Sequence, residues 1–538
     1  IAPCNPSQTI QDLALKSVIE QRVAQLLNSD IRKVLQQRRV GLEKESLRVG
    51  VDGGIAQTPH PASLGSALTH PSITTDYSEA LLEFVTPPFQ HFSETLDFLD
   101  DTHRYVYGQL DNEILWASSM PCVVEGDASI PIAQYGSSNA GLMKTAYRRG
   151  LGHRYGRMMQ AIAGVHFNYS YPEEFWKLYQ SVLGDTGDLQ NFISESYIGM
   201  VRNLQRFGWL VPYLFGASPA ICASFLGAQP TSLEKWREFS YYAPYATSLR
   251  MGDIGYQNDK GGEASIKVDY NSLQGYVDSL QDAISTPYPE YARIEMIRDG
   301  EWQQLNSNRL QIENEYYSSV RPKQILQGEE KPSLALARRG VAYIELRSLD
   351  VNAYEPLGIS EEHMRFLESF LLFSLLAPSA SYDDAELAAI KHNINAVAVR
   401  GRDPQLKLRR DGGEILLRDW ANEIFEQMSA GCDLLDKGSS IHYYCDALQH
   451  QRAKVADPDR TPSARMLAEM DQQGEEFYHF AMRMSRQHQK WFADRPLDEA
   501  KRLQFEKLAR ESIAKQQSIE AADKIPFATF LQNYFAQT

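Results

Sequence analysis

Hydrophobic and polar positions change rhythm several times along the chain. From about residue 9 to 37, Leu13, Leu15, Val18, Ile19, Val23, Leu26 and Leu27 recur at helical spacing, which predicts a helical start. Gly41-Leu-Glu-Lys-Glu-Ser-Leu-Arg-Val49 then alternates and runs into Asp52-Gly53-Gly54, a strand followed by a turn. Residues 91–115 and 141–163 return to the helical period. Gly164-Val-His-Phe-Asn-Tyr169 alternates again, with Val165, Phe167 and Tyr169 on one face and His166 and Asn168 on the other. Residues 340–350 are a further strand, and 310–317 are read as another. Beyond about residue 358 the pattern turns mostly helical, with breaks at Pro458, Pro462, Pro496 and Pro526. Strands and helices mix without a strict β-α-β rhythm and no repeat appears, so the predicted class is α+β. One unit spans 1–538, with a sheet core over 38–358 and a mainly helical part over 359–538.

Composition narrows the classes. The 538 residues are 43% hydrophobic and 23% charged, an ordinary globular balance with apolar surface for a large core. With 54 Lys and Arg against 69 Asp and Glu, the formal charge is −15, which argues against nucleic acid as a partner. Cys4, Cys122, Cys222, Cys432 and Cys445 are widely spaced, so reduced, buried cysteines in a cytoplasmic protein are expected. No basic stretch followed by an apolar run opens the sequence, so no signal peptide is read. The uncharged run 207–227 contains Pro212 and Pro219 and suits buried turns behind a sheet, not a membrane span.

The informative acids stand two apart on predicted strands. Alternate strand residues share a face, so Glu43 and Glu45 project together; Glu313 and Glu315 repeat the spacing, and Glu345 stands with Arg347. Asp76, Glu79 and Glu83 add acids at spacings of three and four, Glu83 within the apolar run Leu81-Leu-Glu-Phe-Val85. Crowded, buried carboxylates titrate upward unless cations neutralise them. Oxygen donors of this kind suit Mg²⁺, and His166 on an adjoining strand leans one site toward Mn²⁺ tolerance. A solvated strand face is the plainer reading of any one pair, and a satisfied core histidine that of His166.

Several chemistries are missing. The sequence holds no Gly-x-x-x-x-Gly-Lys-Ser/Thr loop, no Gly-x-Gly-x-x-Gly after a strand, no His-Glu-x-x-His and no Gly-x-Ser-x-Gly. Lys260-Gly261-Gly262 reads as a loop. What remains is activation of an electrophile by cations and arginines, without a covalent nucleophile.

Eight ordered motifs carry a resemblance. Gly41-Leu-Glu-Lys-Glu-Ser-Leu-Arg48, Ser66-Ala-Leu-Thr-His70, Thr74-Thr-Asp-Tyr-Ser-Glu-Ala-Leu-Leu-Glu-Phe84, Gly164-Val-His-Phe-Asn168, Leu214-Phe-Gly-Ala-Ser-Pro-Ala-Ile221, Tyr245-Ala-Thr-Ser-Leu-Arg250, Gln311-Ile-Glu-Asn-Glu315 and Tyr343-Ile-Glu-Leu-Arg-Ser-Leu-Asp350 resemble the glutamate–cysteine ligases of the proteobacterial type. The likeness is dense to about residue 360 and thinner afterwards. It implies a glutamine-synthetase-like fold, in which a curved, mostly antiparallel sheet forms an active-site funnel for ATP and two or three Mg²⁺ ions. The implied reaction is the first step of glutathione synthesis. ATP phosphorylates the γ-carboxylate of L-glutamate, and the amine of L-cysteine displaces phosphate.

Position by position, the resemblance makes Glu43, Glu45, Asp76, Glu83, His166 and Glu345 metal ligands. Arg250 and Arg347 face the phosphates, and Tyr77, Tyr147, Arg148, Gln160, Tyr256 and Tyr317 shape the cysteine pocket. The expected protein is a cytoplasmic monomer with small-molecule partners and no membrane. Tyr77 stands where the family commonly has Phe, and residues 256–270 and those beyond 401 depart from its pattern. Three other readings share part of these residues: a γ-glutamyl ligase for a non-cysteine amine, a non-catalytic paralogue binding nucleotide or glutamate, and a metal-dependent amidase without ATP. The second predicts lost ligands, and none of the six is lost.

Overall fold

The computed structural model describes residues 10–27, 31–227, 230–255 and 266–537. At its centre lies a seven-stranded sheet drawn from distant stretches: β1 (Arg39–Gly50), β2 (Ile73–Thr75), β3 (Leu81–Val85), β4 (Glu113–Leu115), β5 (Gly164–Ser170), β6 (Val320–Lys323) and β7 (Tyr343–Asp350). The order is β6-β7-β5-β1-β3-β2, with β4 on the C-terminal end of β1, and every ladder is antiparallel. The class is α+β.

Period two gives the sheet two unlike faces. Val40, Leu42, Phe84, Val165, Phe167, Ile344 and Leu346 share one face and are fully buried. The described helices include α1 (Phe92–Tyr107), α2 (Asn139–Tyr155), α3 (Leu189–Phe207) and α4 (Glu361–Leu376). The apolar face lies against α1 and α4. His103 of α1 meets Phe84 edge-on at 4.7 Å, and Tyr169 OH donates to Glu368 of α4 at 2.7 Å. Residues 208–222 of the uncharged segment are buried, and its short helix Leu210–Phe215 packs on β7.

After α4 the chain is helical apart from the hairpin Lys407–Arg410 with Gly413–Leu416. Two late helices, α5 (Glu499–Ala522) and α6 (Phe527–Phe535), return to the sheet part. Ser512 Oγ of α5 accepts from Ser66 N at 2.9 Å, and Leu531 and Tyr534 of α6 pack against Met143 and Ala146 of α2. No helix among the described residues is long and apolar enough to cross a membrane.

Three expectations need correction. Residues 310–317 form no strand; Glu313–Glu315 is a single 3₁₀ turn, and the place beside β7 is taken by β6. Residues 91–115 are helical only to Tyr107, because Glu113–Leu115 pairs with Arg48–Gly50. Cys122 and Cys222, expected reduced, form a disulfide with Cα atoms 5.4 Å apart. They are 100 residues apart in sequence, so only the folded chain brings them together. Cys432 and Cys445 are free thiols, and Cys4 lies outside the described residues.

Phe167 sits fully buried on the central strand β5. Phe167→Ala is expected to lower unfolding stability by about 3–5 kcal/mol through lost burial and the cavity it leaves. Urea denaturation followed by circular dichroism measures it.

Candidate active site

The second sheet face is polar, and its register decides which side chains meet. Glu43 of β1 lies opposite His166 of β5, Glu45 opposite Glu83 of β3, and Glu345 of β7 opposite Asn168 of β5. Directly paired residues point to the same side, so four carboxylates from three strands converge. Ligand atoms of Glu43, His166 and Glu345 all lie within 4.8 Å of one another. His166 Nδ1 is 3.1 Å from Glu43 Oε2 and 3.5 Å from Glu345 Oε1, while its Nε2 is 3.7 Å from Glu45 Oε1. Asn168 Nδ2 donates to Glu43 Oε1 at 2.9 Å. Asp76, just beyond β2, stands close enough for its charge to act on both Glu45 and Glu83.

Counter-charge comes mainly from the β7 side. Arg347 Nη1 donates to Glu345 Oε1 at 2.8 Å, and Lys323 Nζ on β6 is 3.3 Å from Glu345 Oε2. Burial alone would raise Glu345, yet Arg347, Lys323 and His166 hold it well below the usual carboxylate range. Glu83 feels Arg347 only weakly by comparison. Burial, and then the charges of Glu43, Asp76 and Glu45, push it well above that range. Glu345 Oε2 is buried yet receives no hydrogen bond among the described residues. Crowded oxygen donors with one imidazole and a carboxyl forced upward fit divalent cations.

Arg250 comes from a 3₁₀ turn (Leu249–Met251) and reaches the sheet from the side. Its Nη2 donates to the Arg347 carbonyl at 2.9 Å, and its Nη1 is 3.8 Å from Asp350 Oδ1. Gly164 makes this approach possible, because a Cβ there would stand 2.1 Å from Nη2. Asp350 also accepts from Ser218 Oγ at 2.6 Å, Ser248 Oγ at 2.8 Å and Ala217 N at 2.8 Å. Both arginines therefore have fixed guanidinium positions beside the acidic cluster.

The residues expected around the cysteine pocket fall into two groups. Arg148 of α2 donates to the Asp76 carbonyl and lies 4.6 Å over the Tyr135 ring. Tyr77 is buried, its hydroxyl without a hydrogen-bond partner among the described residues, in a notch where a Cβ on Gly152 would come within 2.6 Å. Gln160 is buried, and its amide nitrogen has no partner among the described residues either. On the other side, Tyr317 OH donates to Met251 Sδ at 3.2 Å, beside Arg250. Tyr147 packs among the α6 side chains. Tyr256 lies outside the described residues.

Three other acids have different work. Glu79 accepts from His60 N and Gln134 N, each at 2.8 Å, and so ties two loops together. Glu313 and Glu315 do not share a face. Glu313 accepts from Ser333, while Glu315 pairs with Arg154 at 3.0 Å, because residues two apart in a 3₁₀ turn diverge. Lys323, Asn168 and Asp350 are the site residues that sequence reasoning assigned no role. For Lys323 a signal existed: Arg321 and Lys323 alternate as a basic counterpart to Glu345 and Glu43.

The folded state holds the proton on Glu83 more tightly than the unfolded chain does. A raised carboxyl of this kind makes stability fall as pH rises above its ordinary value of 4.5. In chelator-treated protein, the melting temperature should therefore drop as pH rises above about 5, with Glu83→Gln flattening the drop and Mg²⁺ restoring stability. An equally steep fall in Glu83→Gln removes Glu83 as its source.

A family model for glutamate-cysteine ligase matches residues 23–397. The glutamate–cysteine ligase of Alcanivorax borkumensis is 48% identical over 522 residues, covering 96% of this chain and 99% of the relative. That of Pseudomonas aeruginosa is 48% identical over 496 residues, 92% of this chain and 94% of the relative. Among solved structures, the glutamate–cysteine ligase of Francisella tularensis in complex with AMP superposes with a TM-score of 0.87 at 36% identity, over 93% of this chain and 97% of that one.

Proposed function

The chain belongs to the glutamate–cysteine ligase family, and from that premise we propose that its polar sheet face joins the γ-carboxylate of L-glutamate to the amine of L-cysteine at the expense of ATP. The γ-phosphoryl group of ATP passes to a γ-carboxylate oxygen. The amine then attacks the acyl carbon and phosphate leaves, giving γ-glutamylcysteine, ADP, phosphate and a proton. The convergence of Glu43, His166 and Glu345 beside two fixed guanidinium groups carries this reading.

Glu43, Glu45, Asp76, Glu83, His166 and Glu345 are the residues that would hold two or three Mg²⁺ ions. Divalent cations, when bound, neutralise phosphate oxygens and draw electron density from the transferring phosphoryl group. Arg250 and Arg347 supply charge that cannot be lost by deprotonation, at oxygens that become more negative in both steps. Their positions are set before substrate arrives, by the β7 carbonyl, by Glu345 and by Asp350. Tyr77, Tyr147, Arg148, Gln160, Tyr256 and Tyr317 form the acceptor pocket in this reading. The same reading makes the working enzyme a cytoplasmic monomer, without nucleic acid or membrane as a partner.

Purified protein given Mg²⁺, ATP and glutamate should release ADP when cysteine is added, with a product of γ-glutamylcysteine mass. Strongest release with a non-thiol amine replaces cysteine as the acceptor, and no release with any amine removes the ligase reading. Arg347→Met should reduce kcat by about 10²–10³-fold, the usual loss for one donor to a developing oxyanion. Glu345→Gln should abolish turnover while circular dichroism stays native. Near-normal turnover in Glu345→Gln removes that residue from the ligand set.

A further inference from the structure

Glu315 is fully buried, and it joins the end of α2 to Gln311, four residues before it. Oε1 accepts from Arg154 Nη1 at 3.0 Å and Tyr155 OH at 2.8 Å, both at the end of α2. Oε2 accepts from Gln311 N at 2.7 Å and Gln311 Nε2 at 3.1 Å. Gln311 Nε2 also donates to the Tyr147 carbonyl at 3.1 Å. Arg154 is as buried as Glu315, and its other nitrogen reaches Gln304 Oε1 at 2.9 Å and the Asn306 carbonyl at 2.6 Å. The fit leaves no slack, since a Cβ on Gly150 of α2 would stand 2.2 Å from Gln311 Oε1.

The network has a direction. Tyr147, Leu151 and Arg154 follow one another along one side of α2, so the ion pair fixes the helix that carries Tyr147 and Arg148. Two residues past Glu315 the chain reaches Tyr317. Glu315 thus ties the helix that carries Tyr147 and Arg148 to the turn that leads into Tyr317.

We propose that Glu315, acting through Arg154, Tyr155 and Gln311, is the positioning residue for the amino-acid acceptor, and that it leaves ATP and glutamate binding untouched. This rests on the reading of Tyr147, Arg148 and Tyr317 as acceptor-pocket residues. An ion pair with both partners buried behaves asymmetrically. Removing one partner strands a charge, whereas replacing both with neutral groups of similar volume does not.

Two variants therefore test it together: Tyr155→Phe, which removes one hydrogen bond, and the double Arg154→Met with Glu315→Gln. Each should raise KM for cysteine by about tenfold or more, while KM for ATP and for glutamate stays within about twofold, because a misplacement confined to one pocket penalises one substrate. Arg148→Ala is the control for the pocket itself. If Arg148→Ala raises KM for cysteine and neither test variant does, the positioning role of Glu315 falls alone. If Arg148→Ala leaves KM for cysteine unchanged, the pocket reading falls and takes this inference with it. A parallel rise in all three KM values, tracking a lowered melting temperature, marks Glu315 as structural only and overturns the proposal. Should the double variant fail to fold, Tyr155→Phe decides on the same three constants.

Discussion

Repulsion among carboxylates on adjacent strands is the constraint to which the rest of the structure responds. Glu43, Glu45, Glu83 and Glu345 are forced onto one face by strand register, in a region largely closed to water. Like charges at that spacing destabilise a sheet. The protein answers unevenly. Glu345 is held ionised by Arg347 and Lys323, whereas Glu83 is driven toward its protonated form. That imbalance needs compensation elsewhere, and the opposite face provides it with Val165, Phe167, Phe84 and Leu346 packed under helices. Lys44 shows how strict the alternation is. It lies between Glu43 and Glu45 in sequence but points into the apolar side, where burial pushes its amine down to about 7 and His103 Nε2 stands 2.9 Å away.

The period-two pattern made half of this legible before any coordinates. Glu43 with Glu45, His166 with Asn168, and Glu345 with Arg347 each sit on the predicted face. Glu83 stood out because a lone acid in an apolar strand has few other uses. The same rule misled at Glu313 and Glu315, since spacing of two says nothing once the backbone is a 3₁₀ turn. Nor could alternation reveal contacts made across long separations. The Cys122–Cys222 bridge, the Ser218 and Ser248 bonds to Asp350, and the Arg154–Glu315 pair all join segments whose local patterns are unrelated.

Asp350 illustrates why such residues matter to the chemistry. A guanidinium can stabilise a developing oxyanion only if its position is fixed before the charge appears. Arg250 is carried by a short turn, which alone is a poor platform. Its orientation is imposed by the Arg347 carbonyl, by Asp350, and by the space above Gly164. Asp350 is in turn immobilised by two serine hydroxyls and a backbone amide. The phosphate-facing side of the proposed site is thus built on the sheet itself.

The acceptor side is built differently, and the contrast bears on how the two halves communicate. Tyr147 and Arg148 hang from α2 and Tyr317 from the turn before it, joined by the buried Arg154–Glu315 pair. One link to the arginine side is soft: Met251 Sδ receives Tyr317 OH at 3.2 Å and Arg250 Nη1 at 3.4 Å. A thioether is polarizable and geometrically tolerant, so it transmits little displacement from one partner to the other. Arg250 also keeps its stronger anchors on β7 whatever Tyr317 does. The division follows from the chemistry. Phosphoryl transfer demands charge fixed to within a fraction of an ångström, while acceptor choice demands a pocket whose shape can change without disturbing that charge. A rigid sheet and a latched helix meeting at a methionine meet both demands.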